Sequence, residues 1–193
     1  MLRRAALRYA EHGWPIVPGA TLLDGRYVCG PLCPTVACHP AVERWEHVAT
    51  TSNSTVDSWW RAGSHSVLLA TGRSFDAIEV PERLGRAVAN TSRLGPVAVT
   101  PAGRWMFLVR AGESLRPELA VLLDVVLHGR GSWIPAPPTR TPEGRVRWEI
   151  APELTAWEVA EPYVVQRLLV AQLKQLGPPP TFASSTPALR RAA

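Results

Sequence analysis

The stretch from Ser66 to Val109 constrains this chain most. It opens with Ser66-Val-Leu-Leu-Ala70-Thr-Gly72, an apolar run closed by a glycine turn. Phe75-Asp76-Ala77-Ile78-Glu79-Val80-Pro81 follows, a second apolar run with acidic residues set into it. A helix is predicted from Glu82 to Asn90. Then come Pro96-Val-Ala-Val-Thr-Pro101 and Gly103-Arg104-Trp105-Met106-Phe107-Leu108-Val109. Short apolar runs bounded by Gly and Pro read as strands rather than helices. Four strands and one helix here predict the central sheet of a mixed α+β fold flanked by helices, with functional residues on the strand ends.

The flanking segments fill in that frame. Residues 2–11 read as a helix with Leu2, Ala5, Ala6 and Tyr9 on one face and Gly13 at its end. Trp14 to Gly19 reads as a strand running into a turn. A helix from Thr55 to Ala62 carries Val56, Trp59 and Trp60; core packing explains the two tryptophans more economically than a base-stacking platform. Arg116-Pro117-Glu118 opens another helix with proline in its first turn and Leu119, Leu122 and Leu123 on an apolar face. Val125–Leu127 and Ser132–Pro135 read as strands across the Gly129-Arg130-Gly131 turn, and Arg145–Ile150 as a further strand. Pro162 to Gln175 is a final amphipathic helix, with Val165, Leu168, Leu169 and Leu173 inward. The reading is one domain over 1–175 and a disordered Pro/Ala-rich tail over 176–193.

Residues 20–48 form an insert that holds every cysteine. Cys29, Cys33, Cys38 and His39 follow C-x3-C-x4-C-H, three thiols and an imidazole able to hold a structural zinc ion. His47 is an alternative fourth ligand, because Cys38 and His39 are adjacent. The other reading is a loop of free thiols in a reducing compartment.

Hydrophobic residues make up 46% of the chain and charged residues 19%, enough apolar content for a core. No uncharged apolar run reaches the roughly 18 residues of a membrane span, and the charged start lacks a signal-peptide core, so a cytoplasmic location without membrane partners is expected. Net charge is +5, and of 21 basic residues only Lys174 is lysine. A basic excess permits binding to nucleic acid or nucleotides; a GC-rich coding sequence would also favour arginine.

The order of motifs carries more than any one of them. Ala5-Leu7…Gly13-Trp14-Pro15, an insert ending Cys38-His39-Pro40, Ala49-Thr50-Thr51 before Trp59-Trp60, Leu69-Ala70-Thr71-Gly72, Phe75–Val80, and Ala136-Pro137-Pro138 before Gly144…Trp148 occur in sequence. Over roughly residues 5–150 this resembles the N-terminal domain of the bifunctional DNA primase/polymerase family, of archaeo-eukaryotic primase type. The resemblance implies template-directed nucleotidyl transfer by two divalent metals, Mg2+ or Mn2+, held by an Asp-x-Asp pair and a later Asp, with a His on a neighbouring strand. The pair falls on Glu79 and Pro81, the His on Trp105 or Met106, and the later Asp near Val126, with Asp124 two residues before it. Three of the four positions thus lack the expected side chain.

The resemblance therefore implies a primase/polymerase-like domain without catalysis of its own, binding single-stranded DNA or nucleotides, or a replication or regulatory protein. Glu79 and Asp76 are the remaining candidate catalytic carboxylates, and Arg104, Arg130 and Arg140 the candidate phosphate-binding residues, with Arg110 near the same strand ends. An active enzyme with rearranged ligands (Asp76, Glu79, Glu82, Asp124 and His128) is a second reading. It is opposed by the three-residue spacing of Asp76 and Glu79, which needs a bulge to share a strand face. A zinc-stabilised protein-interaction module is the third.

Overall fold

The apolar runs at 66–70 and 76–81 belong to different sheets. In the computed structural model, which describes residues 1–30, 35, 37–89 and 94–177, the chain runs α1 (Leu2–Glu11), β1 (Ile16–Gly19), β2 (Thr21–Leu23), β3 (Arg26–Val28), α2 (Trp45–Val48), α3 (Asn53–Ala62) and β4 (Ser66–Ala70). It continues with β5 (Asp76–Pro81), α4 (Glu82–Ala89), β6 (Val97–Val99), β7 (Arg104–Val109), α5 (Pro117–Ala120) and β8 (Val126–His128). The last elements are β9 (Trp133–Pro135), β10 (Arg140–Thr141), β11 (Gly144–Arg145), β12 (Arg147–Ile150) and α6 (Pro162–Leu176).

The expected α+β architecture is present, but the single central sheet is not. One sheet has the order β1-β4-β9 and a second the order β12-β6-β7-β5-β8, with neighbours antiparallel throughout. Phe75 lies between β4 and β5, where the chain passes from one sheet to the other, and is fully buried. The segments on either side of Gly129-Arg130-Gly131 likewise do not form a hairpin. β8 pairs with β5 and β9 with β4, so that loop is a second crossing between sheets. Local sequence marks where strands lie; a strand buried on both faces reads as a continuous apolar run and carries no alternation to say which strand it pairs with.

Two large cores follow from this division, with a third, smaller cluster of Val17, Ala49, Leu68 and Ala70 on the other face of the three-stranded sheet. Ala77, Ala98, Met106 and Leu108 from one face of the five-stranded sheet pack with Ile16, Val67, Leu69 and Ile134 of the three-stranded sheet and with Ala6, Tyr9, Val56 and Trp60 of α1 and α3. The opposite face supplies Ile78, Val80, Val97, Val99, Trp105 and Phe107, which pack under Leu84 and Val88 of α4 and Val165, Leu169 and Val170 of α6. Gly13 takes φ +76 just beyond α1, where its N–H bonds the Ala10 carbonyl at 2.9 Å and stops the helix.

Trp60 is buried and gives its indole N–H to the His65 carbonyl at 2.9 Å, while Trp59 lies edge-on beside it. The pair is packing. The apolar face predicted near 119–123 is shorter than expected: Leu119 is buried, but α5 ends at Ala120 and Leu123 is fully exposed. Of the predicted tail, residues 178–193 lie outside the described residues, and α6 itself reaches Leu176. No helix among the described residues is long and apolar enough to cross a membrane.

Candidate functional site

Strand alternation builds the site around Glu79. β5 pairs with β7 without interruption from Asp76↔Val109 to Pro81↔Arg104, so Ala77, Glu79 and Pro81 share one face and Asp76, Ile78 and Val80 the other. On that first face Glu79 stands directly opposite Met106 of β7 and Val126 of β8. Its diagonal neighbours are Arg104, opposite Pro81, and His128, opposite Ala77. Diagonal pairs on a sheet stand about 7–8 Å apart, a gap that long side chains close.

Both close it. Arg104 Nε donates to Glu79 Oε1 at 2.6 Å, and His128 Nε2 lies 2.9 Å from Glu79 Oε2. Arg104 Nη2 also donates to the Asp124 carbonyl at 2.7 Å, and His128 Nδ1 is 2.9 Å from Ser132 Oγ. The three side chains are only 18–26% exposed. Burial by itself raises the Glu79 pKa. The hydrogen bonds from His128 and Arg104, with their charges, outweigh it and hold the carboxyl below its ordinary value. The result is an ionised glutamate with both oxygens engaged. The sequence joins Glu79 with His128 only as members of a rearranged catalytic set and keeps Arg104 apart as a phosphate-binding candidate; the strand register of β5 with β7 and β8 is the signal that brings the three together.

Asp76 is elsewhere. It faces away from Glu79 and is 4% exposed, with Oδ2 accepting the Gly112 N–H at 2.9 Å. Oδ1 has no hydrogen-bond partner among the described residues, and Gly129 lies close beside it. No bulge breaks β5, so the two carboxylates considered as a catalytic pair do not converge. Glu82 begins α4 and pairs with Arg86. The family's His position also divides. Trp105 is buried against Gly85 of α4 on the far face, and only Met106 lies on the Glu79 face.

Two hard divalent metals need several carboxylate oxygens free to converge. Here Pro81 offers none, both Glu79 oxygens are engaged, Asp76 points away, and among the described residues no three His, Cys, Asp or Glu side chains gather as a metal-holding group. The side chains present do not fit a two-metal centre.

The other predicted residues disperse. Arg130 sits on the β8–β9 loop, its backbone so close to Gly72 that a Cβ on the glycine would lie 2.2 Å from the arginine Cα. Arg140 starts β10, and its carbonyl accepts the Tyr27 hydroxyl at 3.3 Å. Arg104, Arg130 and Arg140 therefore occupy three separate elements. In the insert, Cys33 lies outside the described residues, and Cys29 is exposed just after β3. Burial pushes the Cys38 thiol up to about 11, against a hydrogen bond with Tyr27 that lowers it. His39 Nδ1 lies 2.7 Å from the Ala37 carbonyl, and His47 belongs to α2.

A mixed α+β domain with an acidic residue on an interior strand of its larger sheet matches the class that the order of motifs suggested. The chain belongs to the bifunctional DNA primase/polymerase N-terminal family, whose model matches residues 6–162. No curated protein matches it.

Proposed function

We propose that this is a primase/polymerase-like domain that does not transfer nucleotides by itself, and that binds single-stranded nucleic acid or nucleotide phosphates in a replication-related or regulatory role. One observation carries the reading: the only acidic side chain at the family's paired-carboxylate position, Glu79, is clamped between Arg104 and His128. A guanidinium and an imidazole engage the two carboxylate oxygens that a metal ion would need as ligands. Metal entry would have to break two short hydrogen bonds and place a dication beside Arg104. Phosphate binding then falls to exposed arginines such as Arg130 and Arg140, since Arg104 is committed to Glu79.

Primer extension and de novo priming with labelled nucleotides and Mg2+ or Mn2+ test this, with an Asp76→Ala/Glu79→Ala double variant as control for contaminating polymerase. The expected result is no product from the wild type, with single-stranded DNA still bound. Extension by the wild type but not by the double variant would overturn it in favour of a rearranged active site.

A further inference from the structure

Arginines not engaged at Glu79 collect at another end of the molecule. Arg4 and Arg8 project from α1 one turn apart, about 6 Å along the helix axis. Arg4 is exposed and makes no hydrogen bond or ion pair among the described residues. Arg8 pairs with Glu153 at 3.0 Å, and its guanidinium carbon lies 5.6 Å from the centre of the Trp157 ring. Across from α1, Arg145 Nη1 comes within 3.9 Å of the Met1 sulfur, and Arg140 stands opposite Arg145 in the β10–β11 pair. Both are exposed.

An open groove of about 270 Å³ lies beside α1, bordered by Met1, Arg4, Arg8 and Glu153 and floored by Pro137, Pro138 and Trp148; Arg145 and Arg140 lie outside it, Arg145 against Met1 at its edge. The floor is held in place. The Trp148 indole N–H donates to the Tyr9 oxygen at 3.1 Å, and the Tyr9 hydroxyl donates to the Pro137 carbonyl at 2.6 Å. Tyr9 also meets Trp148 edge-on, with ring centres 6.1 Å apart. A half-buried indole fixed in this way offers apolar surface without first having to be ordered.

We infer that this groove binds single-stranded nucleic acid, with phosphates on Arg4 and Arg8 inside it, the strand continuing past Met1 toward Arg145 and Arg140, and a base against Trp148 and the two prolines. The inference rests on the non-catalytic binding role proposed above and names the surface for it. Guanidinium groups suit phosphate oxygens because they present several donors in one plane. The spacing of Arg4 and Arg8 is comparable to the step between successive phosphates of an extended strand. One carboxylate, Glu153, lines the groove and is already answered by Arg8, while Glu11 and Glu143 line neighbouring depressions beside Arg4 and Arg145. The positive excess is therefore modest, and affinity must draw on stacking as well as charge. That combination favours a single strand, whose base faces are open, over a duplex, whose base faces are hidden.

The test is anisotropy of a fluorescein-labelled twelve-nucleotide deoxythymidylate strand titrated with the full chain at several salt concentrations. Arg4→Ala/Arg145→Ala should weaken binding about fivefold or more and flatten the dependence of log K on log salt by about 0.7 for each phosphate no longer neutralised. Trp148→Leu, checked for folding by circular dichroism, should also weaken it about fivefold or more, and a blunt duplex of the same length should compete poorly. Arg104→Ala and His128→Ala should leave binding unchanged. Binding lost in those two variants but intact in the groove variants would overturn the groove while leaving the non-catalytic binding role standing. Absence of binding by the wild type at low salt would overturn both.

Discussion

Glu79 keeps its charge because two neighbours on adjacent strands share it. Replacing it by glutamine removes the charge but not the shape, and leaves Arg104, 26% exposed, facing a neutral partner. The expected loss is about 1.5–3 kcal/mol, the range for a hydrogen bond to a charged group. Urea denaturation of Glu79→Gln beside the wild type measures it. The pH dependence has a definite sign. The folded-state pKa of Glu79 is depressed, so its contribution is fully present above the unfolded glutamate value of about 4.3 and fades as pH falls through the lower folded value. The stability gap between wild type and Glu79→Gln should be flat near neutrality and close below about pH 4. A gap that persists unchanged into acid would mean that the carboxylate charge is not what Arg104 and His128 hold.

Among the elements, α4 is fixed to β7 at Gly85. A Cβ on this residue would sit 2.3 Å from Trp105 Cγ, closer than side chains approach one another. Two effects oppose each other in Gly85→Ala. Helix propensity favours alanine by about 1 kcal/mol, whereas overpacking a filled core costs about 1–3 kcal/mol. The clash is with the root of a fully walled indole, which cannot swing aside, so the second effect wins. The variant should be destabilised by about 1–2 kcal/mol net, read as a lower denaturation midpoint at an unchanged slope. A neutral or stabilised variant would mean that α4 can lift from the sheet. The sequence locates α4 and every strand from 66 to 109 because Gly and Pro punctuate them. It does not reveal that β4 leaves its neighbours to pair with β1 and β9, since four apolar runs buried on both faces carry no alternation to distinguish their partners. The same gap hides the site. Glu79, Arg104 and His128 are diagonal neighbours only once β5 is known to lie between β7 and β8, and residues 25 and 49 positions apart advertise nothing of that. The parity objection to Asp76, by contrast, needs only the period of a strand, and β5 runs unbulged as that period requires.

At the scale of the whole molecule, the question is whether two sheets make one folding unit. The core between them is shared. Ala77, Met106 and Leu108 of the five-stranded sheet pack in the same cluster as Leu69 and Ile134 of the three-stranded sheet and Ala6 and Tyr9 of α1. The chain also crosses between the sheets three times, through Phe75, through Gly129–Ser132 and again between β9 and β12, so neither sheet is contiguous in sequence. A sheet that borrows its strands from both sides of the other cannot keep its order once the other is lost. Leu108→Ala tests this directly, because Leu108 is 1% exposed and belongs to β7 while its side chain faces the shared core. The cavity should cost about 2–5 kcal/mol. If the sheets unfold together, far-ultraviolet circular dichroism and tryptophan fluorescence will report one coincident transition, shifted by the same amount in the variant. Coupling would fail if the variant unfolded in two steps, with one probe unshifted. The Glu79 site would then belong to a sheet that stands without the face opposite it, and the burial that fixes its ion pairs would have to come from the five-stranded sheet alone.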